Sequence, residues 1–147
     1  MELKPVITHR LVKSEDLNHH KTLFAGRCAE WFVESSFIAV ACCLTPENVV
    51  CLKIHGMEFL HPVHAGDILT FESKLVANGK STLTVFTRIY KDKTPEITFS
   101  DGFVTFVYVD ENTKPQPHGI VISPQTAEET CLYEQAKQLI LTSKQSK

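Results

Sequence analysis

The sequence predicts an α+β domain in which a curved antiparallel sheet of about five strands wraps around one long central helix, with a second helix at the C-terminus. Three observations lead there. A stretch of roughly 22 residues, Leu23 to Leu44, holds no proline and a single glycine, too long for a strand and apolar over most of its circumference. Four runs rich in β-branched and aromatic residues follow it, joined mostly by short turns. A helix apolar on nearly all sides has to be buried, and a sheet with one apolar face curled around it buries both.

Each element has its own signal. In LKPVITHRLV (Leu3 to Val12), Val6, Thr8, Arg10 and Val12 alternate with Pro5, Ile7, His9 and Leu11, which predicts a strand with Pro5 near its start or on an edge. SEDLNHHKT is a polar loop, and the long helix after it is ended by Pro46 and Asn48. The four further strands are expected at Val49 to Leu60, Ile68 to Val76, Ser81 to Tyr90 and Glu96 to Val109. Asn78-Gly79 marks a hairpin because both residues tolerate positive φ, and KDKTPE, with Pro95, marks another. Gly56 and Gly102 interrupt long strands, where bulges let a sheet curve. Beyond the polar connection ENTKPQPHG, Thr126 and Glu129 stand at capping-box spacing and open a helix over about 124–143 with a frayed tail. There is no internal repeat or low-complexity segment, so 1–147 reads as one domain with its core over about 5–118.

Composition narrows the functional classes. The chain is 43% hydrophobic and 22% charged over 147 residues, ordinary for a single globular domain. A formal charge of -2 gives no general electrostatic reason to expect nucleic acid or an anionic membrane as a partner. Cys28, Cys42, Cys43, Cys51 and Cys131 are odd in number and mostly set in apolar runs, a usage that suits free thiols in a reducing compartment. The N-terminus lacks the apolar core of a signal peptide, and no apolar run approaches the ~18 residues of a membrane span. A cytoplasmic protein is expected.

The helix carries all its charge on one line. At about 100° per residue, Arg27, Glu30 and Glu34 fall within an arc of roughly 60°, while Trp31, Phe24, Cys28, Ser35, Ala39 and Phe32 fill much of the opposite side. Two readings stand. The line is a solvated stripe, with Arg27 bridging to Glu30 for a few tenths of a kcal/mol, or its carboxylates are placed for acid–base or nucleophilic work. Adjacent His19 and His20, and His61 and His64 around Pro62, lack the i, i+4 or paired-cysteine spacing of a zinc site, so no metal is expected. Neither G-x-S-x-G, a P-loop nor a Rossmann glycine fingerprint is present, and the lone Trp31 reads as core.

Three stretches in matched order and spacing carry a resemblance. DLNHHKTLFAGRCAEWF, GMEFLHPVHAGDIL, and NGKSTLTVFTRIY with FVTFVYVDENTKPQP are similar to segments of the hotdog-fold acyl-CoA thioesterases of the cytosolic acyl-CoA hydrolase type, over about residues 5–118. The resemblance implies a hotdog fold, a homodimer whose two sheets become continuous, and further assembly into tetramers or hexamers. It implies hydrolysis of fatty acyl-CoA to free acid and CoA, with no cofactor beyond the CoA of the substrate. The thioester is then expected at the dimer interface near the N-terminus of the central helix, where unpaired N–H groups and the positive dipole end suit a developing oxyanion.

By the same resemblance, Asn18 matches the family's Asn, which works with a helix carboxylate of the opposite subunit that activates water or attacks the thioester. Gly26 matches the second glycine of the family's pair, and Ala25 replaces the first. The family's acid falls here on Val33, with Glu34 its neighbour about 100° around the helix. Either a bulge or shifted register presents Glu34, which is longer than Asp and is the favoured replacement, or His19, His20 or Glu30 is the base, or the protein does not catalyse. If Glu34 and Asn18 carry the reaction, Glu34→Gln and Asn18→Ala each lower turnover at least ~100-fold. Pro62 and the turn Asn78, Gly79, Lys80 and Ser81 are the implied CoA contacts. Trp31, Phe32, Phe37 and Phe59 would lie near the acyl chain, although a core role explains each equally well. The alternatives are an acyl-CoA binding protein without turnover, and a hotdog hydratase or dehydratase, whose His-containing motifs are not recognisable here.

Overall fold

The alternation at the N-terminus becomes a strand whose inward side chains meet the central helix: Thr8 Oγ1 lies 3.0 Å from Ser35 Oγ, and Arg10 ion-pairs with Glu34. The computed structural model describes residues 4–145. Its elements are β1 (Val6–Leu11), α1 (Ala25–Ala41), β2 (Val49–Met57), β3 (Ile68–Asn78), β4 (Thr82–Lys91), β5 (Thr98–Tyr108) and α2 (Ala127–Gln145), with short 3-10 turns at Ser14–Asp16 and Pro46–Asn48. Leu3, at the start of the expected first strand, and the last two residues of the expected frayed tail lie outside the described residues. The five strands form one antiparallel sheet in the order β1-β3-β4-β5-β2, so β1 and β2 are its two edges. This is the α+β architecture expected, a curved sheet around a long helix.

Curvature is built where the strands slip register, at Cys51/Lys53 and Ile54/Met57 of β2, Leu75/Ala77 of β3 and Ile89/Tyr90 of β4. Both glycines singled out by sequence sit at one of these. Gly56, at φ +108, makes the β2 bulge, and a Cβ on Gly102 opposite it would lie 2.4 Å from the Gly56 carbonyl oxygen and 3.0 Å from Phe32 Cζ. Only glycine lets the two backbones and the helix approach so closely.

The concave face holds α1. Phe32, Phe71, Leu69, Val85, Val104 and Phe106 are buried at the centre of the core, and the Trp31 and Phe71 rings meet edge to face at 6.4 Å. Polar residues on the buried side of α1 are all bonded: Ser36 Oγ donates to the Phe32 carbonyl at 2.8 Å and lies 2.8 Å from Thr87 Oγ1, which is 2.7 Å from Ser73 Oγ. The charged line of α1 lies on its exposed side, as the solvated-stripe reading has it: Glu30 and Glu34 are exposed, Val33 and Phe37 are half-buried, and the opposite face is buried. Arg27 reaches not Glu30 but the buried Asp16, 3.2 Å away, because the preceding loop folds back against the helix start.

The convex face is covered in part by α2, which packs Ala136, Leu132, Tyr133 and Leu139 on Val76, Ala77, Phe86 and Phe103. Thr126 Oγ1 accepts the Glu129 N–H as expected, while the Glu129 carboxylate reaches Gln125 N and Lys74 Nζ rather than closing the box on Thr126. The outer edge is different. Among the described residues β2 has no partner on its far side, and Val50, Leu52 and Ile54 are 42%, 57% and 47% exposed. Among the described residues no helix is long and apolar enough to cross a membrane.

Candidate functional site

The helix α1 begins without a cap. Its N-cap is Phe24, whose side chain makes no capping hydrogen bond, and the first bonds of the helix run from Arg27 N and Cys28 N to the Phe24 carbonyl. The N–H groups of Ala25 and Gly26 therefore precede the helix's own hydrogen bonding, at its positive dipole end.

The loop in front of them is held by Asn18. Its Oδ1 accepts the N–H groups of His20 at 2.8 Å and Thr22 at 3.2 Å, and its Nδ2 donates to Thr22 Oγ1 at 3.1 Å. Backbone bonds from Asn18 N to Thr22 O and from Lys21 N to Asn18 O close the turn, with Lys21 at φ +61. A non-glycine residue in the left-handed region persists only where the surroundings over-determine the loop. Leu23 N then donates to the Val63 carbonyl at 2.7 Å, which ties this loop to the segment after β2.

Between the two segments lies a cleft of about 340 Å³. Asn18, Thr22 and Ala25 line one wall, Phe59, His61 and Pro62 the other, and Phe99 of β5 closes it. Two uncapped N–H donors beside a cleft with apolar walls are equipped to hold a polarised carbonyl oxygen. Burial pushes the Cys28 thiol, one turn into the helix, up to about 12, so it offers no nucleophile.

The other expected site residues fall elsewhere. Gly26 is exposed as the second residue of α1, beside the cleft but not in its lining. Glu34 stands eight residues further, about 12 Å along the axis, on the β1 side of the helix and paired with Arg10, whose guanidinium also lies 5.5 Å over the Trp31 ring. The helix runs unbroken from Ala25 to Ala41, with no bulge to turn Glu34 into the Val33 position. Val33 shares its side of the helix with Phe37, which packs on Phe106 of β5 toward the β2 edge. Trp31 and Phe32 are core, and Phe59 is in the cleft.

The Asn78–Ser81 turn is a hairpin, but not for the reason read from sequence. Gly79 N bonds to Thr82 O, so Lys80 and Ser81 form the tip, and neither Asn78 nor Gly79 has positive φ. A Cβ on Gly79 would meet Thr82 Oγ1 at 2.5 Å, so any larger residue there displaces the threonine hydroxyl. Asn78 is a structural node: its Oδ1 accepts Ile122 N and its carbonyl accepts Lys137 Nζ. Gly79 lines a second cleft of about 560 Å³ under α2, with Lys53, His55, Lys137 and Lys144. Within one chain, Pro62 and this turn line different clefts. Burial and Lys53 hold His55 below the usual imidazole range, with Nε2 2.7 Å from Thr105 Oγ1.

Among the described residues no group of three or more His, Cys, Asp or Glu side chains is arranged to hold a metal. Thr22 and Phe99 belong to the cleft and carried no signal in the sequence. His61 carried one only as a metal ligand, although it stands beside Pro62 in a segment already linked to the substrate.

Comparison with known proteins supplies the context for this geometry. The family model described as the thioesterase superfamily matches residues 20–98. An uncharacterized acyl-CoA thioester hydrolase of Bacillus subtilis (strain 168) is 33% identical over 140 residues, covering 93% of this chain and 80% of that protein. A hexameric acyl-CoA thioesterase solved without ligand superposes with a TM-score of 0.85 at 28% identity, over 97% of this chain and 92% of that one. An acyl-CoA hydrolase from Staphylococcus aureus, solved with butyryl coenzyme A, coenzyme A and coenzyme A disulfide, gives 0.83 at 26% identity, over 97% and 85%.

Proposed function

Since the chain belongs to the thioesterase superfamily, with the hotdog fold of that family's acyl-CoA hydrolases, we propose that it hydrolyses acyl-CoA thioesters to the free acid and CoA. One observation carries the reading: the uncapped start of α1, with Ala25 and Gly26 N–H free, stands at a cleft shaped by Asn18, His61 and Pro62. The thioester carbonyl oxygen accepts those two N–H groups, which strengthen as charge develops on it. Asn18 holds the loop that leads into the helix start. The acyl chain lies against Phe59 and Leu60. Lys80 at the hairpin tip, with Asn78, Gly79 and Ser81, and the lysines of the second cleft supply cations for the CoA phosphates.

The working unit is an oligomer built from dimers. The unpaired β2 edge meets a second copy and extends the sheet across the pair, burying Val50, Leu52 and Ile54, and the hexameric assembly named for a structural relative extends the same logic. No cofactor is required beyond the CoA of the substrate. Five free cysteines suit a reducing cytoplasm.

The test follows thioester absorbance with short, medium and long acyl-CoAs, since exposed thiols at Cys42, Cys51 and Cys131 disturb a thiol-release assay. Turnover that falls about 100-fold in Asn18→Ala supports the site. A second reading, acyl-CoA binding without turnover, is favoured by Val33 at the family's acid position and by the capture of Glu34 by Arg10; calorimetric binding of CoA esters with no hydrolysis would establish it.

A further inference from the structure

The cleft at the start of α1 contains one ionisable side chain. Of the residues lining it, Asn18, Thr22, Ala25, Phe59 and Pro62 among them, His61 alone is of an ionisable type. Its imidazole is exposed and makes no hydrogen bond or ion pair among the described residues. Within one chain neither carboxylate of α1 enters this cleft: Glu34 is held by Arg10, and Glu30 is exposed outside the lining. We propose that His61 is the general base of this site, an inference that rests on the thioesterase reading.

The neutral imidazole takes a proton from water as the water oxygen bonds to the thioester carbonyl carbon. The carbonyl electron pair moves to oxygen, where the Ala25 and Gly26 N–H groups hold it. Collapse of that intermediate breaks the C–S bond, and the imidazolium returns its proton to the departing CoA thiolate, so the products are the acid and the thiol. An imidazole changes charge between about pH 5 and 8, which lets it both accept and return a proton near neutrality. The charged and titratable groups on adjoining segments include the Asp16–Arg27 pair and Glu30 at the first turns of α1, His19, His20 and Lys21 on the Asn18 loop, Glu58 and His64 beside His61 in the chain, and Arg88 and Asp101 on β4 and β5. None of these lines the cleft.

The experiment compares hydrolysis of acyl-CoAs by the natural protein, His61→Gln, His61→Ala, Glu30→Gln and Glu34→Gln, each checked for thermal unfolding and CoA-ester binding. The expected result is a loss of at least about 100-fold in kcat/KM for both His61 variants, disappearance of an acid limb in the imidazole range, and partial recovery of His61→Ala by added imidazole. Retained turnover in His61→Gln, loss in a glutamate variant with a limb near pH 4, or a folded, substrate-binding His61→Ala that imidazole does not restore would each overturn the assignment while leaving the activity standing. Absence of hydrolysis in the natural protein would instead overturn the reading beneath it.

Discussion

Phe24 stands where a serine, threonine or aspartate ordinarily closes a helix, and its extended backbone, φ -65 and ψ 126, is compatible with such a cap. Phe24→Ser is expected to raise stability by about 1 kcal/mol, read from a denaturant midpoint. It is also expected to lower kcat/KM about 10-fold, because the hydroxyl competes with the thioester for the Gly26 N–H. A gain in stability with no loss of turnover would remove the helix start from the chemistry. At this scale the sequence was informative about identity and silent about partners. Asn18, Gly26 and Pro62 were legible from motif, whereas the pairings of Arg27 with Asp16 and of Glu34 with Arg10 depend on a loop and a strand brought in from elsewhere. Helical spacing offered only Glu30 to Arg27, and local geometry has no means of announcing a tertiary competitor.

The elements were legible almost to their ends, because each has a periodicity or a breaker of its own. β3 expected from Ile68 runs from Ile68, and β2 expected from Val49 runs from Val49. The Asn78-Gly79 hairpin was found through a rule about positive φ that this turn does not use; a Cβ at the glycine meets only the Thr82 hydroxyl closely. The bulges were foreshadowed by Gly56 and Gly102, but only the structure pairs them. Gly102→Ala should cost about 1–3 kcal/mol, seen as a lower unfolding midpoint, since its new methyl meets a backbone carbonyl and the packed Phe32 ring. An unchanged midpoint would mean that the β2 bulge is soft. Residues of the cleft were named from motif, but that they share one cleft was not legible: its walls are separated by some forty positions of sequence and are tied by the bond from Leu23 N to Val63 O.

For the molecule as a whole, the exposed β2 edge leads to a prediction about assembly. Light scattering of the natural protein should give a multiple of the 16.6 kDa chain mass, and Leu52→Lys, which places a charge on that edge, should shift it toward the single chain with loss of turnover. A natural protein that is monomeric and active would show that one chain completes the site. The strand order also has a consequence in time. Among the described residues the one neighbour of β2 is β5, which begins after residues 58–97 have been made. At synthesis rates of about 5–20 residues per second, β2 leaves the ribosome some 2–8 s before anything in its own chain can pair with it. For that interval Val50, Leu52 and Ile54 form an apolar ribbon open to any strand nearby, which makes this short segment the place where a chaperone would have most to do.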